Sequence, residues 1–412
     1  MNVKITPFDA CGTVSAPPSK SFAHRLIIAA LLSGGDCFIE NVGDSEDVKA
    51  TVYAVSALGA EINYDGKNVY VGKVSVPSFA TVDCVESGSA LRFFIPVAAA
   101  LGVDAEFTGT KTLMSRPTDA YKSCFSGHGA EFDGKRVSGK LTAGKYVLDA
   151  SLSSQYVSGL LLALSAVKGE SEIVLTGKTV SKGYTDMTAY ILKKFGAEIS
   201  ETKGGYRITG GDLKAPERIR TEGDWSGAAF FLSLGAICGN VKVKGLDFPS
   251  LQKDSGILDI LEKFGAKVTV KEDFISVKRG NLTAVKDIDC ENIPDLAQVI
   301  AVIAAYAEGV TSLINVERLK IKESDRIVAI IKTLAAAGIR AEYDGKELKI
   351  HGGLPVGGIF DGGNDHRTVM SAAVLAAGAT ANSEIVGAEA HAKSYVGFFT
   401  DYRKAGGKYV LI

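Results

Sequence analysis

Two kinds of apolar stretch alternate along the chain. One is apolar on every side and rich in small residues: "SFAHRLIIAALL", "SALRFFIPVAAAL", "SQYVSGLLLALSAV", "SGAAFFLSLGAI", "LAQVIAVIAAYA" and "RTVMSAAVLAA". A helix with no polar face has to be buried. The other kind, such as "TDMTAYILKKFG" or "SGILDILEKFG", spaces its apolar residues three and four apart and stops at a glycine. That spacing predicts an amphipathic helix with a glycine C-cap. Between the two lies a short run such as "CFIENV", "SEIVLTG" or "NVKVKGL", which reads as a strand. After the second helix comes a period-two stretch broken by Asp-Gly or Gly-Gly, the pattern of a hairpin.

This order of elements is a repeat. Its glycines are Gly59, Gly129, Gly196, Gly265, Gly338 and Gly406, at steps of 70, 67, 69, 73 and 68 residues. Six such units account for nearly all of the 412 residues. The pattern predicts an α/β fold in which the small-residue helices are buried and sheets pack outside them. The last unit stops at "GGKYVLI", one hairpin strand short, and "NVKITPF" at the start is a strand without a unit. The N-terminal strand is therefore expected to complete the last sheet. Two domains of three units each follow: residues 13–221, and residues 1–12 with 222–412. Chain crossings near 12–18 ("SAPPSK") and 218–224 ("RIRTEGD") would form a hinge.

Composition narrows the function. The net charge is −1 and no apolar run approaches the roughly 18 residues of a membrane span, so neither nucleic acid nor a bilayer is an expected partner. The segment "MNVKITPFDA" lacks the character of a signal peptide, and the six cysteines are scattered without a CxxC pair. Reduced thiols and a cytoplasmic location are expected. The five histidines are dispersed, which argues against a zinc or iron site.

Charge is instead concentrated at particular places in the repeat. The helix over Phe22–Leu32, with Ser19 or Ser21 as N-cap and Gly34 and Gly35 closing it, has Lys20 and Arg25 at its start. A helix N-terminus carries partial positive charge, so two cations there need an anion between them. The starts of the other buried helices carry "ESGS", "SSQ", "GDWS", "IPDLAQ" and "GNDHR". The segments entering the second helices carry "SRPTD", "VSKGYTD", "KIKESDR" and "AHAKSY". Helix N-termini on one face bind anions, and Lys20, Arg25, Arg116, Lys322, Arg326, Arg367 and Lys393 add cations to them. A polyanionic ligand completes such a site. Each motif alone also has a plainer reading. "SSQ" can be ordinary capping. Glu323 and Arg326 can be a surface ion pair of small value. Arg92 is expected to pair with a carboxylate, and His24, His366 and His391 to be hydrogen-bonded spectators. The recurrence of polar clusters at the same two places in the repeat favours the shared site.

The motifs "PPSKSFAHR", "SGSALR", "SRP", "SSQ", "IPDLA", "IKESDRI", "NDHRTVM" and "HAKSY", in this order over the whole chain, closely resemble the enolpyruvyl transferase family. The resemblance is to its members that act on shikimate 3-phosphate. It implies a two-domain, pseudo-threefold "inside-out" α/β barrel of six βαβαββ-like repeats. The implied reaction moves the enolpyruvyl group of phosphoenolpyruvate to the 5-hydroxyl of shikimate 3-phosphate and releases phosphate, with no cofactor or metal. This is a step of the shikimate pathway to chorismate and the aromatic amino acids. By the same resemblance Ser21, Arg25, Ser153, Ser154, Gln155 and Ser181 bind shikimate 3-phosphate, together with Asp295 and Lys322. Lys20 touches both substrates. Gly88, Arg116, Arg326, Arg367 and Lys393 form the phosphoenolpyruvate pocket, which glyphosate also occupies. Asp295, Glu323 and Lys20 are the implied catalytic residues: Asp295 accepts the hydroxyl proton and Glu323 handles the methylene proton. Domain closure would then exclude water.

The residue types suit that chemistry. Both substrates carry a phosphate and a carboxylate, for which several fixed cations are needed, and arginine matches planar anions bidentately. Addition and elimination make opposite proton demands, which two carboxylates beside a lysine can serve. Arg318 stands where some members have asparagine and Gly183 where proline is common, so neither Arg318 nor Tyr184 is assigned a role. Two rivals remain. A relative acting on UDP-N-acetylglucosamine carries a reactive cysteine before its Arg-Pro element, whereas "GTKTLMSRP" has none. A silent anion-binding paralogue would lack Asp295, Glu323 or Lys20, and all three are present. The substrates are the only partners expected, and the protein is expected to be a monomer.

Overall fold

The computed structural model describes residues 1–151, 153–178 and 180–412. Among them are six four-stranded sheets, one for each repeat. The third repeat shows the plan. Strand Lys145–Asp149 leads into the buried helix Ser154–Ala166, strand Gly169–Thr176 follows, then helix Lys182–Lys194 and the hairpin Glu198–Thr202 and Gly205–Gly210. Gly169–Thr176 pairs parallel with Lys145–Asp149 on one side and antiparallel with Gly205–Gly210 on the other. The opening strand of each repeat has no counterpart in the periodicity reading, because it is short and abuts the polar cluster. Counting it gives βαβαββ.

The all-apolar helices are buried as their composition requires. Every residue of Trp225–Cys238 and of His366–Ala377 is buried. Small residues let these helices pack backbone to backbone. A Cβ on Gly159 would sit 2.6 Å from the carbonyl oxygen of Arg92 in the neighbouring Gly88–Leu101 helix. The strands alternate buried and exposed positions, as in Phe79–Asp83 and Lys145–Asp149, so each sheet turns one face to the helices and one to water. The repeat glycines Gly59, Gly129, Gly196, Gly265, Gly338 and Gly406 all have φ between 76° and 100°. That left-handed backbone is why the repeat keeps glycine there.

Strand Val3–Thr6 lies between Ser383–Val386 and Lys408–Leu411, antiparallel to both, in the place of the missing hairpin strand. The chain divides into two compact units, Pro18–Glu222 and Met1–Pro17 with Gly223–Ile412, each with its own apolar core. This moves the first boundary. Residues 13–15 were expected in the N-terminal domain, but strand Ala10–Ser15 pairs parallel with Gly239–Lys244 and so stays with the C-terminal repeats. Reciprocally, Arg218–Arg220 pairs parallel with Cys37–Glu40. The opening strands of the first and fourth repeats are thus exchanged between the units. Each unit ties its two crossings together by one backbone hydrogen bond: Ser19 N to Glu222 O at 2.8 Å, and Asp224 N to Pro17 O at 2.7 Å.

Candidate active site

In the Pro18–Glu222 unit the candidate residues gather at the N-terminal ends of its three buried helices. The first helix runs Lys20–Leu32, two residues longer at its start than the apolar pattern predicts, with Ser19 at the N-cap position. Ser21 is half-buried one residue beyond Lys20. Lys20 Nζ pairs with Asp47 Oδ2 at 2.7 Å. Arg25 is 2% exposed, and its hydrogen-bond partners among the described residues are all uncharged oxygens. It donates to Thr188 Oγ1 at 2.7 Å, Ser21 O at 2.7 Å, Ser158 Oγ at 3.2 Å and Tyr184 O at 3.3 Å. The Phe93 ring lies 5.0 Å from its guanidinium carbon. Burial draws its pKa down to about 10, with Tyr184 opposing. A buried cation without a counter-charge is costly, and a bound anion would relieve that cost. His24 donates or accepts at Thr51 Oγ1, 2.5 Å away. Burial pushes its pKa down to about 3, Asp47 opposes, and Lys20 and Arg25 press further in the same direction. A neutral imidazole fits the expected spectator.

Gly88 opens the second buried helix, with Ser87 capping Ala90 N. A Cβ on Gly88 would lie 2.7 Å from Arg116 Nη1 and 3.2 Å from Arg92 Nη1. Its φ is not in the positive range, so close approach of two guanidinium groups, not backbone angle, is what this position requires. Arg116 Nη2 is buried and has no hydrogen-bond partner among the described residues. Arg92 departs from expectation: it donates to the Gln155 amide oxygen at 2.7 Å and lies over the Tyr156 ring, and among the described residues no carboxylate pairs with it. Gln155 in turn donates to Ser89 Oγ at 2.9 Å, which fixes the third helix start against the second. Ser153 accepts from Gln155 N as an N-cap, the plainer reading of "SSQ", while Ser154 beside it is buried. Ser181 is buried at the N-cap of Lys182–Lys194 with φ 51°, an uncommon backbone for a serine.

In the other unit the candidates form one charged cluster around Arg326, which is 1% exposed. Arg326 Nη1 donates to Asp295 Oδ1 at 2.9 Å and Nη2 to Glu323 Oε2 at 2.6 Å. Its Nε donates to Asp365 Oδ2 at 2.8 Å. The Glu323–Arg326 pair is therefore not the weak surface pair that its spacing allows. Burial disfavours the charged guanidinium, but Asp365, Glu323 and Asp295 outweigh it and hold Arg326 firmly protonated. Asp295 also meets Lys322 Nζ at 3.8 Å and Arg367 Nη2 at 3.3 Å, and its carbonyl accepts from Arg367 Nη1 at 3.1 Å. Desolvation lowers the pKa of Lys322, against the pull of Asp295. Lys393 Nζ donates to Asn364 O at 2.7 Å, next to the start of the His366–Ala377 helix.

Three supporting residues escaped the sequence reading. Asp365 caps that helix through Arg367 N, accepts from Ser324 Oγ at 3.0 Å and holds Arg326; its pKa is lowered, although burial alone would raise it, because Arg326 faces it. Its only sequence signal was its place in "NDHR". Asp47 and Thr188 lie 27 and 163 residues from Lys20 and Arg25, and no local pattern connects them.

Comparisons with known proteins cover the whole chain. Residues 6–402 match the family model described as EPSP synthase (3-phosphoshikimate 1-carboxyvinyltransferase). A 3-phosphoshikimate 1-carboxyvinyltransferase of Clostridium novyi (strain NT) is 39% identical over 98% of this chain and 98% of its own length. One of Thermococcus kodakarensis is 38% identical over 97% of this chain and 99% of its own. Among solved structures, EPSP synthase from Acinetobacter baumannii superposes with a TM-score of 0.84 at 23% identity over 100% of both chains. That likeness shows the shared two-domain inside-out α/β barrel fold. With the family model spanning nearly the whole chain and full-length relatives close to 40% identical, the chain belongs to the EPSP synthase (3-phosphoshikimate 1-carboxyvinyltransferase) family.

Proposed function

We propose that the chain transfers the enolpyruvyl group of phosphoenolpyruvate to the 5-hydroxyl of shikimate 3-phosphate by addition and elimination, releasing phosphate. The observation that carries the reading is the Arg326 cluster. It places two carboxylates and a lysine of lowered pKa among the cations that two anionic substrates require. By the family resemblance, Lys20, Ser21, Arg25, Ser153, Ser154, Gln155, Ser181, Asp295 and Lys322 would hold shikimate 3-phosphate. Lys20, Gly88 and Arg116, with Arg326, Arg367 and Lys393, would hold phosphoenolpyruvate.

A mechanism follows from the charges. Without substrate, Asp295 is tied to three cations and is a poor base. Substrate phosphate and carboxylate groups compete for those cations, which frees Asp295 to take the 5-hydroxyl proton. The alkoxide oxygen adds to C2 of phosphoenolpyruvate while C3 gains a proton through Glu323 and Lys322, giving a tetrahedral adduct. Elimination returns a methyl proton to Glu323, and the hydroxyl proton held on Asp295 passes to the departing phosphate, so each group ends as it began. All of these residues come from one chain, so a monomer suffices. The six cysteines are free, which supports a reducing compartment. No helix among the described residues is long and apolar enough to cross a membrane.

Phosphate release with phosphoenolpyruvate and either shikimate 3-phosphate or UDP-N-acetylglucosamine tests the reading. Release with the first acceptor alone is expected. Release with the second alone, or with neither, overturns it.

A further inference from the structure

One buried acid beside this cluster has no part in the reaction as described. Asp254 lies in the short turn Lys253–Gly256 and is 3% exposed. Its Oδ2 accepts from Ser226 Oγ, in the second residue of the Trp225–Cys238 helix. Among the described residues no lysine or arginine lies within ion-pair distance of it. Nor does it cap the helix. Asp224 already takes Gly227 N at 3.1 Å, and Gln252 takes Trp225 N at 3.1 Å while donating to Gly223 O at 2.7 Å. A buried carboxyl that neither caps nor pairs is costly to the fold, and a serine hydroxyl alone is meagre compensation. The charged groups that face it are Asp295 and Asp224, which repel its charge, and Arg367, which attracts it.

We propose that Asp254 is a positioning residue for this reaction, acting through Arg367: its charge sets how strongly Arg367 binds an anionic substrate. The inference rests on the reading that Arg367 holds phosphoenolpyruvate. Burial, aided by Asp295 and Asp224, pushes the Asp254 carboxyl up to about 7. Below that pH the group is neutral and leaves Arg367 to Asp295 and the incoming anion. Above it, Asp254 places a second negative charge before Arg367, in competition with the substrate, and phosphoenolpyruvate binds more weakly. The Ser226 hydroxyl donates to the charged form and so favours it.

The test is the KM for phosphoenolpyruvate, measured from about pH 5.5 to about pH 8.5 in wild type, Asp254→Asn, Ser226→Ala and Arg367→Gln. Dividing wild type by variant cancels the ionisation of the substrates themselves. For Asp254→Asn the ratio is expected near one in acid, rising to roughly tenfold in alkali, the scale of one charge near a protein surface. Ser226→Ala, which keeps the carboxyl, moves the wild-type inflection to higher pH. A purely structural Asp254 would change KM by a factor independent of pH, and a flat ratio overturns the inference. If Asp254→Asn fails to fold, Ser226→Ala decides: a shifted inflection supports the inference and an unshifted one overturns it. An Arg367→Gln variant with unchanged KM would overturn the assignment of Arg367 and the inference with it. A raised KM in Arg367→Gln beside a flat Asp254→Asn ratio overturns the inference alone.

Discussion

Asp295 and Glu323 are held by the same guanidinium. Arg326 Nη1 meets Asp295 Oδ1 at 2.9 Å, and Nη2 meets Glu323 Oε2 at 2.6 Å. The two carboxylates assigned to opposite proton transfers thus share one buried cation, and whatever draws on Arg326 is felt by both. A substrate carboxylate competing for Arg326 would loosen the acid and the base together.

Asp295→Asn and Glu323→Gln preserve shape and remove one proton acceptor each. Turnover is expected to drop about 10²- to 10⁴-fold in either variant, with ligand binding largely kept. Phosphate release and fluorescence titration with shikimate 3-phosphate measure the two quantities. Near-wild-type turnover removes the substituted residue from the mechanism.

Arg25 carries a buried charge that, among the described residues, neutral oxygens and ring faces alone compensate. Arg25→Met is expected to leave the ligand-free protein as stable or more stable, by up to about 1–4 kcal/mol. The same variant should lose the thermal stabilisation given by shikimate 3-phosphate. Melting curves with and without ligand check both parts. A destabilised ligand-free variant that still responds to ligand would show that Arg25 serves the fold.

At Gly88 a methyl group meets the movable ends of Arg116 and Arg92, and the backbone angle is ordinary. Gly88→Ala is therefore expected to fold with a stability change under about 1 kcal/mol, while Arg116 is displaced and the KM for phosphoenolpyruvate rises. Glyphosate, expected to reach further toward this glycine, should be weakened more. Inhibition and KM measured on one preparation separate these effects, and equal losses would refute the steric account.

His24 gives the fold an acid limit. Its pKa is about 3 when folded and near 6.5 when unfolded, so between those values the unfolded chain binds the additional proton. Its contribution to stability is fully present above about pH 6.5 and is lost as pH falls toward about 3. Urea unfolding at a series of pH values should show a shallower acid decline for His24→Gln than for wild type. Parallel declines would mean that other groups set the limit.

The sequence by itself determined the repeat. All-apolar helices of small residues can only be buried, and a glycine every 70 residues or so marks a left-handed helix end, as the φ values of Gly59 to Gly406 show. These are local properties, written in neighbouring residues. It also placed Lys20, Arg25, Gly88 and Arg326 at helix starts, because capping and charge at a helix end are local too. Only the tertiary structure decided where those groups point their charge. That Arg25 faces Thr188 and no carboxylate, that Arg92 meets Gln155, and that Asp365 reaches Arg326 are contacts across 39 to 163 residues, set by which helices pack side by side. Which sheet edges Ala10–Ser15 and Arg218–Arg220 join lay beyond the sequence for the same reason. A strand's alternation fixes which face it buries, but not which of several equivalent sheet edges it joins.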